Sequence, residues 1–248
     1  MDIAATFIGN EALKDGGAIY NTFWNDNGLG KGDGVTVTGI FEENKAGHFG
    51  GAIYNDGAKD KNGKGGVMTV NSAEFEENEA YYGGAIFNNA GKMNILGTAD
   101  KRVVFEGNKA YVGGAFSDMQ NVGSETVIKN ALFEENHAGA DAGAAGFYGK
   151  VDVENTIFRK NTAAITIDGV TADVGNSDGG GAIQVGGTSD VSLTKVQFVG
   201  MNLVRVVVRF LHVMVQDTNW ILIPRHLQQI NLETLAVGLQ MFMGVQLT

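Results

Sequence analysis

One recurring pattern limits the folds open to this chain more than any other feature. Phe is followed three positions later by Asn at Phe7/Asn10, Phe41/Asn44, Phe75/Asn78, Phe105/Asn108, Phe133/Asn136 and Phe158/Asn161. A Gly-Gly-Ala-Ile element follows at Gly16–Ile19, Gly50–Ile53 and Gly83–Ile86, with a close variant at Gly113–Phe116 and another copy at Gly180–Ile183. Gly143–Phe147 reads as an eroded copy. The spacing from one Phe to the next runs through 34, 34, 30, 28 and 25 residues. A fixed core separated by variable insertions is the signature of a stacked repeat.

A third element precedes most of the Phe positions. Val35–Val37, Val67–Val70, Val127–Ile128, Val151–Val153 and Val191–Leu193 are short runs of β-formers, suited to half-buried strands. Each unit thus offers three strands: V-x-V, the segment carrying Phe, and G-G-A-I, with Gly and Asn between them. Short strands joined this way form one rung of a coil, and rungs stack about 4.8 Å apart. The expected fold is all-β: a right-handed, single-stranded parallel β-helix of about six to seven three-strand rungs, rising roughly 30 Å. Phe would stack in an interior column. Asn would sit at a bend, where its amide tolerates the left-handed conformation and bonds the next rung's Asn. The second glycines, Gly51, Gly84, Gly114 and Gly181, mark a corner without a Cβ.

The pairing of F-x-x-N-x-A with G-G-A-I resembles the repeat of the chlamydial polymorphic outer membrane proteins. It is carried here by Phe41–Ala46 with Gly50–Ile53, and by Phe75–Ala80 with Gly83–Ile86. The resemblance covers roughly residues 7 to 198. It implies export by an autotransporter-type route and an adhesin-like passenger at the cell surface or outer membrane, or secreted. The implied partner is a host or neighbouring cell-surface protein or glycan. The first residues show no export signal, no membrane barrel is visible, and the chain has no Cys, unlike many family members. Export and membrane anchoring are therefore expected to reside in parts missing from this chain, which reads as a fragment.

Composition agrees with a coil of many tight turns. There are 37 Gly and a single Pro, with 44% hydrophobic residues. The formal charge of −10 is the wrong sign for gripping nucleic acid, so no nucleic-acid partner is expected. After Gly200 the character changes. Residues 201–248 hold two Gly and four of the eight Met, and they form a non-repeat tail. Read with a shifted frame, Val206–Phe210 can spell G-G-G-A-I, His226–Glu233 can spell T-F-T-A-N-K-S-G, and Ala236–Leu239 can spell G-G-G-I. The expected organisation is β-helix repeats over 1–200 and, over 201–248, a frameshifted, poorly ordered continuation. The coding DNA decides this directly.

Catalytic chemistry was sought because the β-helix also hosts polysaccharide lyases and glycoside hydrolases. Glu42-Glu43, Glu76-Glu77 and Glu134-Glu135 supply carboxylates, but they recur with the repeat, whereas a unique site should interrupt it. Asn25–Gly28, Gly30–Gly34 and Asp60–Gly63 faintly resemble calcium loops, opposed by Lys31, Lys59 and Lys61. His48 and His137 stand alone beside turns. No catalytic residue, metal ligand or cofactor is assigned, and the chain is expected not to be an enzyme. Binding remains, with loops 20–34 and 54–66 carrying specificity. Tyr20, Trp24, Tyr54, Tyr81, Tyr82 and Tyr111 are candidate contact groups.

Overall fold

The computed structural model describes residues 1–22, 34–57, 67–118, 124–163, 166–167, 170–171, 180–186 and 189–200. Among these there is no helix, and the strands pair in parallel into a twelve-stranded sheet and two six-stranded sheets. The one antiparallel pair among the described residues, Thr166–Ile167 with Val170–Thr171, lies in an insertion. The molecule is a parallel β-helix. The tail after Gly200, Trp24 and the loops rich in Asn and Asp lie outside the described residues.

The V-x-V and Phe segments belong to one sheet. In the first two rungs they are continuous strands, Asp2–Ile8 and Val35–Glu42. Later rungs split into two arms, beginning with Val67–Asn71 on one and Glu74–Glu76 on the other. Alternation drives the fold locally. In Val67–Asn71, Met68 and Val70 point inward while their neighbours are half-exposed. Left-handed residues turn the chain between the arms: Ser72, Asn130, Asn155 and Lys195, with φ of 46°, 51°, 48° and 53°.

The second sheet is formed by the residues after each Asn: Glu11–Ala12, Lys45–Ala46, Glu79–Tyr82, Lys109–Val112, His137–Asp141 and Thr162–Ala163. The sequence pattern assigns no strand to this stretch; it pairs as one because its Ala residues enter the interior while charged neighbours stay outside. The third sheet begins at the Ile of each G-G-A-I, as in Ile19–Thr22, Ile53–Asp56 and Ile86–Asn89.

The left-handed residue at the bend beside Asn is not the Asn itself. It is the residue before it: Gly9, Glu43, Glu77, Gly107, Glu135 or Lys160, with φ between 51° and 64°. Non-glycine residues there cost about 1–2 kcal/mol each, so the surrounding contacts must enforce the turn. Asn supplies those contacts.

The two glycines of the corner differ in role. The first, as at Gly50 and Gly83, has φ of 61°, and Ala142 takes its place in the eroded copy with φ of 62°. The second has an ordinary φ, but a Cβ on Gly84 would lie 2.1 Å from the carbonyl oxygen of Gly114. The same approach repeats from Gly51 to Gly84 and from Gly114 to Gly143. Stacked backbones leave no room there. This is why Gly143 persists where the first Gly and the Ile have been lost.

Candidate functional site

The interior is organised as columns. The rings of Phe7, Phe41, Phe75, Phe105, Phe133, Phe158 and Phe198 form one continuous stack, with centroids 4.5–5.3 Å apart and planes within 16° of parallel. Phe41, Phe75, Phe105, Phe133 and Phe158 are fully buried, each contributing roughly 2–3 kcal/mol of apolar burial.

Beside it runs an amide ladder through Asn10, Asn44, Asn78, Asn108, Asn136 and Asn161. Asn44 Nδ2 donates to Asn78 Oδ1 at 2.9 Å, and the Asn44 backbone N–H donates to the same oxygen at 3.0 Å. Asn78 Nδ2 donates in turn to Asn108 Oδ1 and to the carbonyl of Phe41, both at 2.9 Å. The pattern repeats through Asn108, Asn136 and Asn161. Buried amide groups are thereby satisfied without water, which locks the bend in every rung.

A second ladder was not foreseen from sequence. Asn21 Nδ2 donates to Asn55 Oδ1 at 2.7 Å, and Asn55 Nδ2 to Asn88 Oδ1 at 2.8 Å. Its signal was present in I-Y-N at 19–21, I-Y-N at 53–55 and I-F-N at 86–88, each two residues after the Ile position. In the fourth rung the register position belongs to Asp118. That carboxylate accepts from the backbone N–H of Tyr148 and Gly149 and from Ser124 Oγ. Burial pushes its pKa up to about 7, against the opposing pull of those donors. Tyr148, raised by burial and by Asp141 and Asp118, donates its hydroxyl to Gln184.

The outer surface carries the remaining chemistry. Glu42, Glu76, Glu106 and Glu134 stand in register on successive rungs, followed by Arg159. Glu106 was missed because its unit lacks the second Glu. Burial and then the neighbouring carboxylates of Glu106, Glu42, Glu74 and Glu77 raise the pKa of Glu76. Arg159 closes the column on Glu134, and Lys160 pairs with Glu135 at 2.7 Å. The paired acids singled out from sequence are thus one rung-by-rung stripe, with Glu43, Glu77 and Glu135 on its left-handed corner.

The aromatic candidates separate into two groups. Tyr20 stacks on Tyr54 with centroids 4.9 Å apart, and Phe49 joins Tyr54, Tyr82 and Phe87 at the edge of the second and third sheets. Tyr54 is buried, and burial together with Asp56 pushes its pKa up to about 12. Tyr81 and Tyr111 stack on each other at 4.9 Å on the outer face of the second sheet, 47% and 38% exposed. His137 is half-buried, its Nδ1 2.7 Å from Thr162 Oγ1, and burial and Lys109 lower its pKa. His48 is exposed, next to Phe49.

This arrangement builds a rigid rod with a stiff interior and flat, chemically patterned outer faces. A family model for the Chlamydia polymorphic membrane protein repeat matches residues 4–22 and 38–56. Comparison with curated proteins and with solved structures gives no match. The matched stretches hold Phe7 with Asn10 and Phe41 with Asn44, both Gly-Gly-Ala-Ile corners, and the first two residues of the second ladder, Asn21 and Asn55. The columns that hold the coil together thus run through both matched stretches, and residues 4–22 and 38–56 carry the Chlamydia polymorphic membrane protein repeat.

Proposed function

We propose that the chain is part of an exported, surface-displayed passenger of autotransporter type that acts by adhesion rather than by catalysis. The observation that carries this reading is the division of labour between inside and outside. The repeat-defining Phe, Asn and Gly are consumed in holding rungs together, while Tyr20, Tyr81 and Tyr111 are displayed on the surface. Exposed tyrosines on a rigid backbone give large contact area at low entropic cost. The partner class is a protein or glycan on a host or neighbouring cell surface.

The test is binding of the purified chain to cultured epithelial cells. The expected result is saturable binding, competed by excess soluble chain and weakened at least tenfold by combined Tyr81→Ala and Tyr111→Ala with an unchanged far-UV circular dichroism spectrum. Absence of saturable binding would sink the reading. Turnover of a polyuronide in the presence of calcium would replace it with a lyase.

A further inference from the structure

The outer face of the second sheet is complementary to itself. One column of outward residues reads Glu11, Lys45, Glu79, Lys109 on rungs one to four, in register and all exposed. The signs alternate, and Lys45 pairs with Glu79 at 3.5 Å while both side chains remain about half exposed. Two residues further along each rung stand Leu13, Gly47, Tyr81 and Tyr111, the first two just past the ends of their two-residue strands. Leu13 is 97% exposed, and the stacked tyrosines stand proud of the sheet. Gly47, between Leu13 and Tyr81, puts no side chain on the face. A Cβ there would sit 2.3 Å from the Leu13 carbonyl oxygen, so the stacked backbone admits only glycine at this place.

A two-fold axis in the plane of this face, running along the strands between rungs two and three, superposes rung one on rung four and rung two on rung three. Under that operation Glu11 meets Lys109 of a second copy and Lys45 meets Glu79 of the second copy, so every facing pair is of opposite charge. In the neighbouring column Leu13 meets Tyr111 of the second copy, and Tyr81 meets Gly47 of the second copy, which has no side chain to oppose it. The extra exposed residues of rungs one and two, Lys14 and His48, come opposite the side of Val112 and Tyr82 of the second copy, two residues without formal charge. An alternating ladder of even length is opposite in sign to its own reversal, the requirement for an isologous contact.

We propose that this face binds a second copy of the chain, with the two coil axes antiparallel. The proposal rests on reading the outer face as a contact surface and names one occupant of it. Four rungs about 4.8 Å apart and two columns wide give on the order of 200–300 Å² per copy, against ~800 Å² per partner in a standard interface. The contact is therefore weak and salt-sensitive, suited to chains crowded on one surface.

Because the chain has no Cys, thiol trapping reports the register directly. Leu13→Cys and Tyr111→Cys are made as separate variants of the full chain, mixed, and treated with a short thiol cross-linker. The expected product is a mixed dimer in at least tenfold excess over either like-with-like dimer. Adding Lys45→Glu to both variants places like charges opposite each other and should abolish trapping, and adding Glu79→Lys as well should restore it. A statistical mixture of dimers, trapping indifferent to Lys45→Glu, or failure of the double exchange to rescue would each overturn the proposal. Circular dichroism of every variant separates these outcomes from misfolding. Loss of trapping with cell binding intact removes self-association alone, and the converse result removes the cell-surface reading alone.

Discussion

The two amide ladders make an instructive pair. The first runs unbroken from Asn10 to Asn161, while the second runs from Asn21 to Asn88 and then gives way to Asp118 and, in register beyond the Ser117–Gly146 pair, to the strands of Phe147 and Val185. The first sits in a bend of constant length, where the left-handed residue and the Asn are adjacent in every rung. The second sits at the end of the third-sheet strands, where the connection to the next strand varies from two residues after Asn89 to twelve after Thr22. A ladder survives where the backbone path is the same in each rung. Where the path varies, the position is released to other chemistry, here a buried carboxylate.

The largest consequence concerns the middle of the first ladder. Asn78→Ala removes two acceptor and two donor contacts of one buried amide, while Asn44 Nδ2 keeps the Phe7 carbonyl and Asn108 Oδ1 keeps the backbone N–H of residue 78. The expected loss is about 5 kcal/mol, read as a lower midpoint in urea unfolding. A loss under about 2 kcal/mol would make the first ladder no more important than the second.

Asp118 sharpens the contrast by pH. Its folded pKa of about 7 lies above the ordinary 3.8, so the folded state holds the proton more tightly than the unfolded chain. The stabilisation is complete below about pH 4 and is lost as pH rises through 7. It amounts to at most about 4 kcal/mol between those limits. Unfolding midpoints measured from pH 4 to 8 should fall across this window, and Asp118→Asn should flatten the slope. A slope retained in that variant assigns the titration elsewhere.

A smaller effect is expected at Asn55, which shares only two side-chain contacts within its ladder. Asn55→Ala should cost about 2 kcal/mol, less than half the effect at Asn78. Smallest, and opposite in sign, is Glu77→Gly. It relieves a left-handed residue at φ 51° and removes one charge beside Glu76, for a gain of roughly 0.5–1 kcal/mol. Destabilisation by that change would mean that Glu77 makes a contact beyond its turn.

Much of the fold was legible because Phe and Asn recur at one fixed offset. Side chains that must stack on their own kind tolerate no drift, so spacing alone exposed the column and its parallel register. The left-handed residue was harder to place. Asn is the residue type that tolerates that conformation, yet here its amide is committed to the ladder and the strain falls on Glu43, Glu77, Glu135 and Lys160. The second sheet hid because Lys45-Ala46 and Thr162-Ala163 are two-residue strands whose polarity resembles a turn. The second ladder was obscured by the tyrosines next to it, and Glu106 by the absence of a second Glu. On the outer face Tyr81 and Tyr111 could be named from sequence, but their stacking depends on a register that only the assembled coil fixes.

The central claim is that one repeat equals one rung, with equivalent residues in vertical columns. Nitroxide labels on cysteines placed at Glu76, Glu106, Glu134 and Glu42, taken in pairs, test it by dipolar broadening. The separation should grow by about 4.8 Å per rung, to roughly 5 Å for 76–106, 10 Å for 76–134 and 14 Å for 42–134, with allowance for the label linkers. Equal separations, or an order that does not follow repeat number, would contradict the coil.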